Sequence, residues 1–192
     1  MHALRYRVYT RYGYLAQNGS VHDVDEYDPF SIHFVAVFED RVVGTIRLIR
    51  SSQEGFPVEK YFGLSNALFG RVDRFSVVEV SRLAVEAPVS LPQHAITLGL
   101  IKTAFSYCME KGWIYWYLAA DKRVFALLKK FRFAINALGE PLDYLGSPTI
   151  PAFINIRAGI WALEVEDPEL AAFLMNNVRP PRFAWYEFQE VS

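Results

Sequence analysis

Apolar positions recur along the chain in two periods, and the switches between them lay out its elements. Leu4, Val8, Tyr9, Tyr12 and Leu15 fall at helical spacing, which predicts a short amphipathic helix over residues 3–15 that stops near Gly13. A polar stretch, 17–29, follows. HFVAVFE (33–39) and VVGTIRLI (42–49) read as two strands of a hairpin turning at Asp40-Arg41. Residues 57–64 suit a short helix, and VVEVSRLAV (77–85) carries the β-branched residues of a strand. Beyond a loop at 88–92, residues 94–110 place Ile96, Leu100, Ala104, Phe105 and Cys108 on one side of a long helix that Gly112 ends. WIYWYLAA (113–120) reads as a buried strand, and Asp121 caps a helix reaching about Phe131. PAFINIRAGIWALEV (151–165) reads as a strand or a pair of strands. Asp167-Pro168 opens a last helix, and FAWYEF (183–188) reads as a closing strand or docked extension.

The order is helix, hairpin, strand, long helix, strand, helix, strand. Strand-helix-strand units imply a partly parallel sheet covered by helices, an α/β (α+β) fold with a mixed central sheet. No repeat, low-complexity segment or linker divides the chain, so one domain over 1–192 is expected.

Composition narrows the function classes. A hydrophobic fraction of 52% with 16% aromatics excludes a disordered chain. A formal net charge of -1 lacks the basic footprint of a nucleic-acid binder. One cysteine, Cys108, permits no internal disulfide and fits a reducing cytosol, so a cytoplasmic protein is expected. The N-terminus carries arginines where a signal peptide needs its apolar core. No apolar run approaches the roughly 20 residues of a membrane span, so no integral membrane contact is expected. The four histidines show no zinc-ligand spacing, and no Walker or Rossmann glycine pattern occurs. Cys108, inside a helix, reads as a packed thiol.

Charges inside apolar strands are the candidate chemistry. Glu79 and Arg82 interrupt the strand 77–85, where an unpaired charge is costly to bury. Alternation puts Glu79 and Ser81 on one face and Arg82 on the other. A shared site therefore requires a β-bulge or strong bend; otherwise the pair is a structural salt bridge. Asp25-Glu26-Tyr27-Asp28 either holds a cationic amine or forms a solvated turn. Arg47, flanked by apolar residues, either binds a carboxylate bidentately or snorkels to the sheet edge. Arg5, Arg7 and Arg11 form a basic helix face.

Arg5-x-x-x-Tyr9, Asp25-Glu26-Tyr27-Asp28, Val43-Gly44-Thr45-Ile46-Arg47-Leu48 and Glu79-Val80-Ser81-Arg82-Leu83-Ala84-Val85, in that order, resemble the autoinducer-synthase superfamily. That superfamily comprises the acyl-homoserine-lactone synthases and the related N-acyl amino acid synthases, and the resemblance extends over about residues 1–145. It implies a GNAT-like acyltransferase fold and a fatty acyl chain taken from acyl carrier protein. By position, Glu79 matches the general base, and Arg82, Arg47, Asp25, Asp28 and Arg5 match the charged active-site set, with Ser81 beside them in the strand motif. A base is required because an ammonium group cannot attack a thioester. Lactone synthases carry a tryptophan soon after the first arginine, whereas this chain reads Tyr12-Gly13-Tyr14. Tyr14 in that place favours a free amino acid over S-adenosylmethionine, and the resemblance to the N-acyl amino acid synthases implies tyrosine first; no spacing in the chain selects it over phenylalanine or leucine. The glycine-rich loop by which GNAT enzymes cradle CoA is replaced by Pro88-Val89-Ser90-Leu91-Pro92. The donor implied is the acyl-phosphopantetheine of acyl carrier protein, with no other cofactor bound. Lys122, Arg123, Lys129, Lys130 and Arg132 are either a docking patch for that acidic carrier or a solvated helix face. The rival readings are a lactone synthase, an acyl-CoA-dependent enzyme and a non-catalytic lipid-binding regulator.

Overall fold

The computed structural model describes residues 1–15, 21–64, 72–175 and 187–191. Helix α1 (His2–Arg11) is followed by the hairpin β1 (Ser31–Phe38) and β2 (Arg41–Arg50), then α2 (Pro57–Phe62) and β3 (Val77–Val85). Helix α3 (Gln93–Lys111) crosses to β4 (Tyr115–Asp121), which runs into α4 (Lys122–Lys130). The short strands β5 (Ile135–Ala137) and β6 (Leu142–Tyr144), then β7 (Ser147–Asn155), α5 (Ile156–Glu166), α6 (Pro168–Met175) and β8 (Glu187–Val191) complete the order.

The strands form one mixed sheet in the order β5-β7-β4-β3-β2-β1-β8, with β6 paired to β7. β3 and β4 are parallel, as the crossover through α3 requires, and the other pairings are antiparallel. One face is covered by α3, whose buried Ile96, Leu100, Ala104, Phe105 and Cys108 are the side expected from their spacing. The buried residues that α5 and α6 add to this core are Ile156, Ile160, Leu163, Ala171 and Leu174. The opposite face carries α1, through Leu4, Val8 and Tyr9 on Ala84, and α2, through Val58 beside Ile49, Val77 and Tyr117. Helix α3 sits so close to β2 that a Cβ at Gly44 would lie 2.8 Å from Ile96 Cγ2.

Three expectations are corrected. The hairpin turns at Glu39-Asp40, not Asp40-Arg41, because Phe38 pairs with Arg41 and both turn residues have positive φ (47° and 58°). That two-residue turn matches the twist of the strands it joins. The segment 151–165 is not all strand. β7 ends at Asn155, whose side chain accepts from the Ala158 N–H and caps α5. Ile156, Ile160 and Leu163 then recur at helical spacing, a pattern masked in sequence by the apolar strand residues Ala152, Phe153 and Ile154 before it. Strands β5 and β6, absent from the sequence reading, are three residues each and cling to β7. Of the expected polar stretch 17–29, residues 17–20 lie outside the described ones, as do residues 183–186 of the tail; β8 pairs antiparallel with β1.

Candidate active site

The site grows from a defect in β3. Arg47 pairs with Ser81 and Thr45 with Ala84, so Ile46 alone faces two residues, Arg82 and Leu83. Arg82 takes a left-handed conformation, φ 52°, at this bulge. The extra residue inverts the alternation of the strand. Before it, Glu79 lies on the α2 face and Val80 in the α3 core; after it, Ala84 packs under α1 and Val85 in the α3 core. Glu79, Ser81 and Arg82 thereby share one side of the sheet, which strict alternation forbids.

A second feature opens the sheet beside the bulge. β3 and β4 pair from Val77–Tyr115 to Val80–Leu118 and no further, although both strands continue. The strands part there, and a cavity of about 340 Å³ enters the gap. Its polar end is lined by Asp25, Arg47, Glu79, Ser81, Arg82 and Tyr144, and its apolar end by Ile101, Trp116, Leu118, Val124, Leu128 and Ile154.

Three arginines and three aspartates form a closed network behind the polar end. Arg47 is 1% exposed; its Nη1 and Nη2 donate to Asp25 at 2.6 and 3.0 Å, its Nη1 also to Asp28 at 2.9 Å and its Nε to Ser81 Oγ at 2.9 Å. Arg5, fully buried, donates to Asp23 at 2.7 Å and Asp28 at 3.0 Å. Arg82 donates to Asp23 at 2.7 Å and Asp25 at 2.8 Å, and its guanidinium lies 5.5 Å from the Tyr9 ring centre. The loop carrying the aspartates is tied by its own backbone, with Asp25 N–H donating to Asp28 and Tyr27 N–H to Asp25. Burial pushes the Asp25 and Asp28 carboxyls up, but the facing arginines outweigh it and hold both below the usual carboxylate range. Burial also pushes the nearby His33 imidazole down to about 4, against the pull of Asp28, so it is neutral at pH 7.

Glu79 is the exception. It is 1% exposed, and its Oε2 accepts from the Val58 N–H at 2.9 Å. Burial raises it to about 8, outweighing that bond and the pull of Arg47 and Arg82. It is thus a carboxyl in the cavity wall that can exchange a proton near neutral pH.

Of the residues singled out in sequence, Glu79, Ser81, Arg82, Arg47, Asp25 and Tyr14 line the cavity, while Arg5 and Asp28 stand behind it as network partners. The Arg47 fork, weighed as a clamp for a substrate carboxylate, is filled by Asp25. Tyr14 stacks edge-on against Tyr9, and burial together with the Asp121 carboxylate raises its hydroxyl to about 12. Lys122, Arg123, Lys129, Lys130 and Arg132 are exposed on and after α4, whose inner Val124 and Leu128 line the cavity. Arg7 and Arg11 pair with Glu86, away from this site. Sequence reasoning missed Asp23, the shared acceptor of Arg5 and Arg82, and the aromatic group Tyr61, Phe62 and Tyr144. Three aspartates at 23, 25 and 28 matching three interior arginines was the available signal for the first; nothing local marked the second.

The family model N-acyl amino acid synthase FeeM matches residues 1–154 of the chain. Among solved structures, BjaI, a CoA-dependent acyl-homoserine lactone synthase, is similar with a TM-score of 0.70 at 20% identity, over 95% of this chain and 85% of that one. FeeM, an N-acyl amino acid synthase from uncultured soil microbes, gives 0.62 at 19% identity, over 81% and 90%. The lactone synthase LasI gives 0.64 at 18% identity, over 81% of each. At these identities the likeness establishes the fold, which is GNAT-like. No curated protein sequence matches the chain.

Proposed function

The chain belongs to the N-acyl amino acid synthase family, and from that premise we propose that it transfers a long-chain fatty acyl group from acyl carrier protein to the amino group of a free amino acid, tyrosine first, in the cytoplasm. The observation that carries the reading is the meeting of Glu79 with an apolar cavity at the point where β3 and β4 part. The acyl chain lies in the apolar end, and its phosphopantetheine thioester sits in the gap. The acceptor arrives as an ammonium, and Glu79, directly or through a water, takes a proton from it. The amine nitrogen then bonds to the thioester carbon. Backbone N–H groups released where the strands part stabilise the oxyanion. Collapse breaks the C–S bond; the proton held by Glu79 goes to the departing pantetheine thiolate, and the second proton lost by the attacking nitrogen passes to solvent. Nothing beyond the thioester is needed as a cofactor.

The arginine–aspartate network is largely self-neutralised, so the role of its members other than the cavity-facing Arg82 is positional. Arg5, Asp23 and Asp28 fix Arg47 and Arg82, Ser81 fixes the Arg47 fork, and Arg82 at the cavity wall meets the acceptor carboxylate. Tyr14 closes the acceptor side.

The test is acyl transfer followed by mass spectrometry and thiol release. The protein is given acyl-loaded carrier protein or acyl-CoA with each amino acid separately, and with S-adenosylmethionine in parallel. N-acyl-tyrosine as the main product supports the reading. Lactone from S-adenosylmethionine would make the protein a lactone synthase, and no thiol release with any acceptor would make it a binder.

A further inference from the structure

Along β4 the cavity is lined by Trp116, Leu118, Ala119, Ala120 and Asp121, but not by Tyr115 or Tyr117. On β3 the lining begins at Glu79; Val78, the parallel partner of Trp116, is not part of it. The cavity thus runs from the parting of the strands down to the Trp116 layer. From Ala119 to Trp116 is a depth of ~10 Å, at about 3.3 Å per strand residue. At that depth lies Ile154, which pairs with Trp116 across β4 and β7, and Leu128 and Ile101 add apolar lining to the same cavity.

Trp116 is 2% exposed and is the largest of the fully buried side chains. Its indole N–H donates to Cys108 Sγ at 3.2 Å. An indole has one donor and no acceptor, so this bond meets its only polar requirement and fixes the ring against α3. Cys108 is buried and lies outside the cavity lining, behind the ring. A tryptophan that served only the core would be enclosed by protein on every side; this one is part of the wall of the space that Glu79 also lines. The cavity's volume of about 340 Å³ is near the lower end of the ~300–1,000 Å³ usual for ligand sites.

We propose that Trp116 is the stop of the acyl tunnel, pinned by Cys108, and that it sets the longest fatty chain the enzyme accepts. The proposal rests on the acyl-transfer reading above for its catalytic consequence, and on the cavity alone for binding. A chain that overruns the tunnel has to displace the ring and strip its N–H of the sulfur partner. Cys108 is a positioning residue in this scheme, and Trp116 a specificity-determining one.

The test pairs a binding series with a transfer series. Saturated fatty acids of increasing length are titrated calorimetrically into the wild type, Trp116→Leu and Trp116→Phe, and the same proteins are given acyl thioesters of matching lengths. In the wild type, affinity should rise about fourfold per methylene, the factor given by ~0.8 kcal/mol per buried CH₂, and then level off. In Trp116→Leu the plateau should move to longer chains, with a gain of about tenfold or more for chains just beyond the wild-type limit, and the transfer profile should move with it. Trp116→Phe should move both by less, and it carries the test if the leucine variant does not fold. Cys108→Ala should blur the cut-off without abolishing binding. An unchanged plateau in folded Trp116→Leu and Trp116→Phe overturns the proposal. A shifted plateau with no acyl transfer in any protein, wild type included, upholds the tunnel stop and overturns the catalytic reading instead.

Discussion

The backbone N–H of Val58 donates to Glu79 Oε2 at 2.9 Å, so the first turn of α2 holds one oxygen of the carboxyl that the cavity meets. The bond orients Glu79 without fully offsetting its burial, which leaves the group at about 8 instead of its ordinary 4.5. A base with that affinity is largely protonated below pH 7 and free above pH 9.

With Glu79 as the proposed base, its raised value gives the rate a pH dependence of definite direction. For the wild type, kcat/KM should rise as pH increases through about 8 and then level off. Glu79→Gln should lose on the order of a hundred- to ten-thousand-fold and flatten the profile. Stability moves the other way. The folded carboxyl binds its proton more tightly than the unfolded one, so this group costs stability as pH rises from about 4.5 to about 8. Glu79→Gln lacks that cost, and urea midpoints at pH 5 and pH 9 should show it gaining on the wild type at the higher pH. A pH-independent difference between the two proteins would contradict the raised value.

Asp25 and Arg47 face one another as a fork inside the sheet. Asp25→Ala should cost about 3–5 kcal/mol, the range for breaking a buried pair by removing one partner. Arg47→Lys should not restore the site, since an ammonium cannot fork onto the carboxylate while holding Ser81. Because Asp25 and Asp28 are held below the usual range, their contribution is complete above pH ~4 and is lost only as pH falls through their lowered values. Asp25→Asn should therefore differ from the wild type most at neutral pH and least in strong acid, as read by chemical denaturation at pH 7 and pH 3.

Arg82 combines a side chain bonded to two aspartates with a backbone at φ 52°. These roles separate by substitution. Arg82→Gly and Arg82→Val both lose the ion pairs and should both lose turnover. Only valine also opposes the left-handed backbone, so Arg82→Val should melt below Arg82→Gly by a gap worth roughly 1–2 kcal/mol. Equal melting points would mean that the bulge relaxes once the guanidinium is gone.

The same residue shows what was legible in sequence. Alternation alone put Arg82 opposite Glu79, and charge logic required a bulge if they were to share a site; the structure has that bulge, at Ile46. Long elements with one dominant period, β3 and α3, were readable to within a residue or two. α5 was not, because the period switches from 2 to 3.6 at Asn155 within a mostly apolar segment, and a single cap is a weak local signal. Asp23 was missed because its partners Arg5 and Arg82 are 18 and 59 residues away and only tertiary structure joins them. The Tyr144 group depends on β6, a strand of three residues held by pairing to β7, which no local pattern announces.

Gly44 tests how tightly α3 is seated. A methyl group there would meet Ile96 Cγ2 at 2.8 Å and Leu100 Cδ1 at 3.0 Å, both fully buried. Gly44→Ala should destabilise the protein by about 1–3 kcal/mol, the usual cost of overpacking, and lower the melting temperature without changing the pH profile of the rate. A neutral result would show that the helix can lift away from β2.

The identity of the donor is testable on the outer face of α4. Its inner residues Val124 and Leu128 line the cavity, so a carrier docked on this helix would deliver its thioester arm to the adjacent gap. The outer face presents Lys122, Arg123, Lys129 and Lys130 to solvent, with Arg132 just beyond. Basic side chains so placed attract an acidic partner mainly by speeding its arrival, and salt screens that attraction over ~8–10 Å. Lys129→Glu with Lys130→Glu should therefore raise KM for acyl carrier protein by about tenfold at low salt, with kcat little changed, and the difference should shrink as salt is added. Turnover of a short acyl-pantetheine thioester, which has no acidic surface, should be unaffected. Equal loss with both donors would mean that the substitutions disturb the cavity wall and not a docking face. A wild type that uses acyl-CoA better than the carrier at every salt concentration would remove the carrier from the reaction, and α4 would then carry an ordinary solvated face.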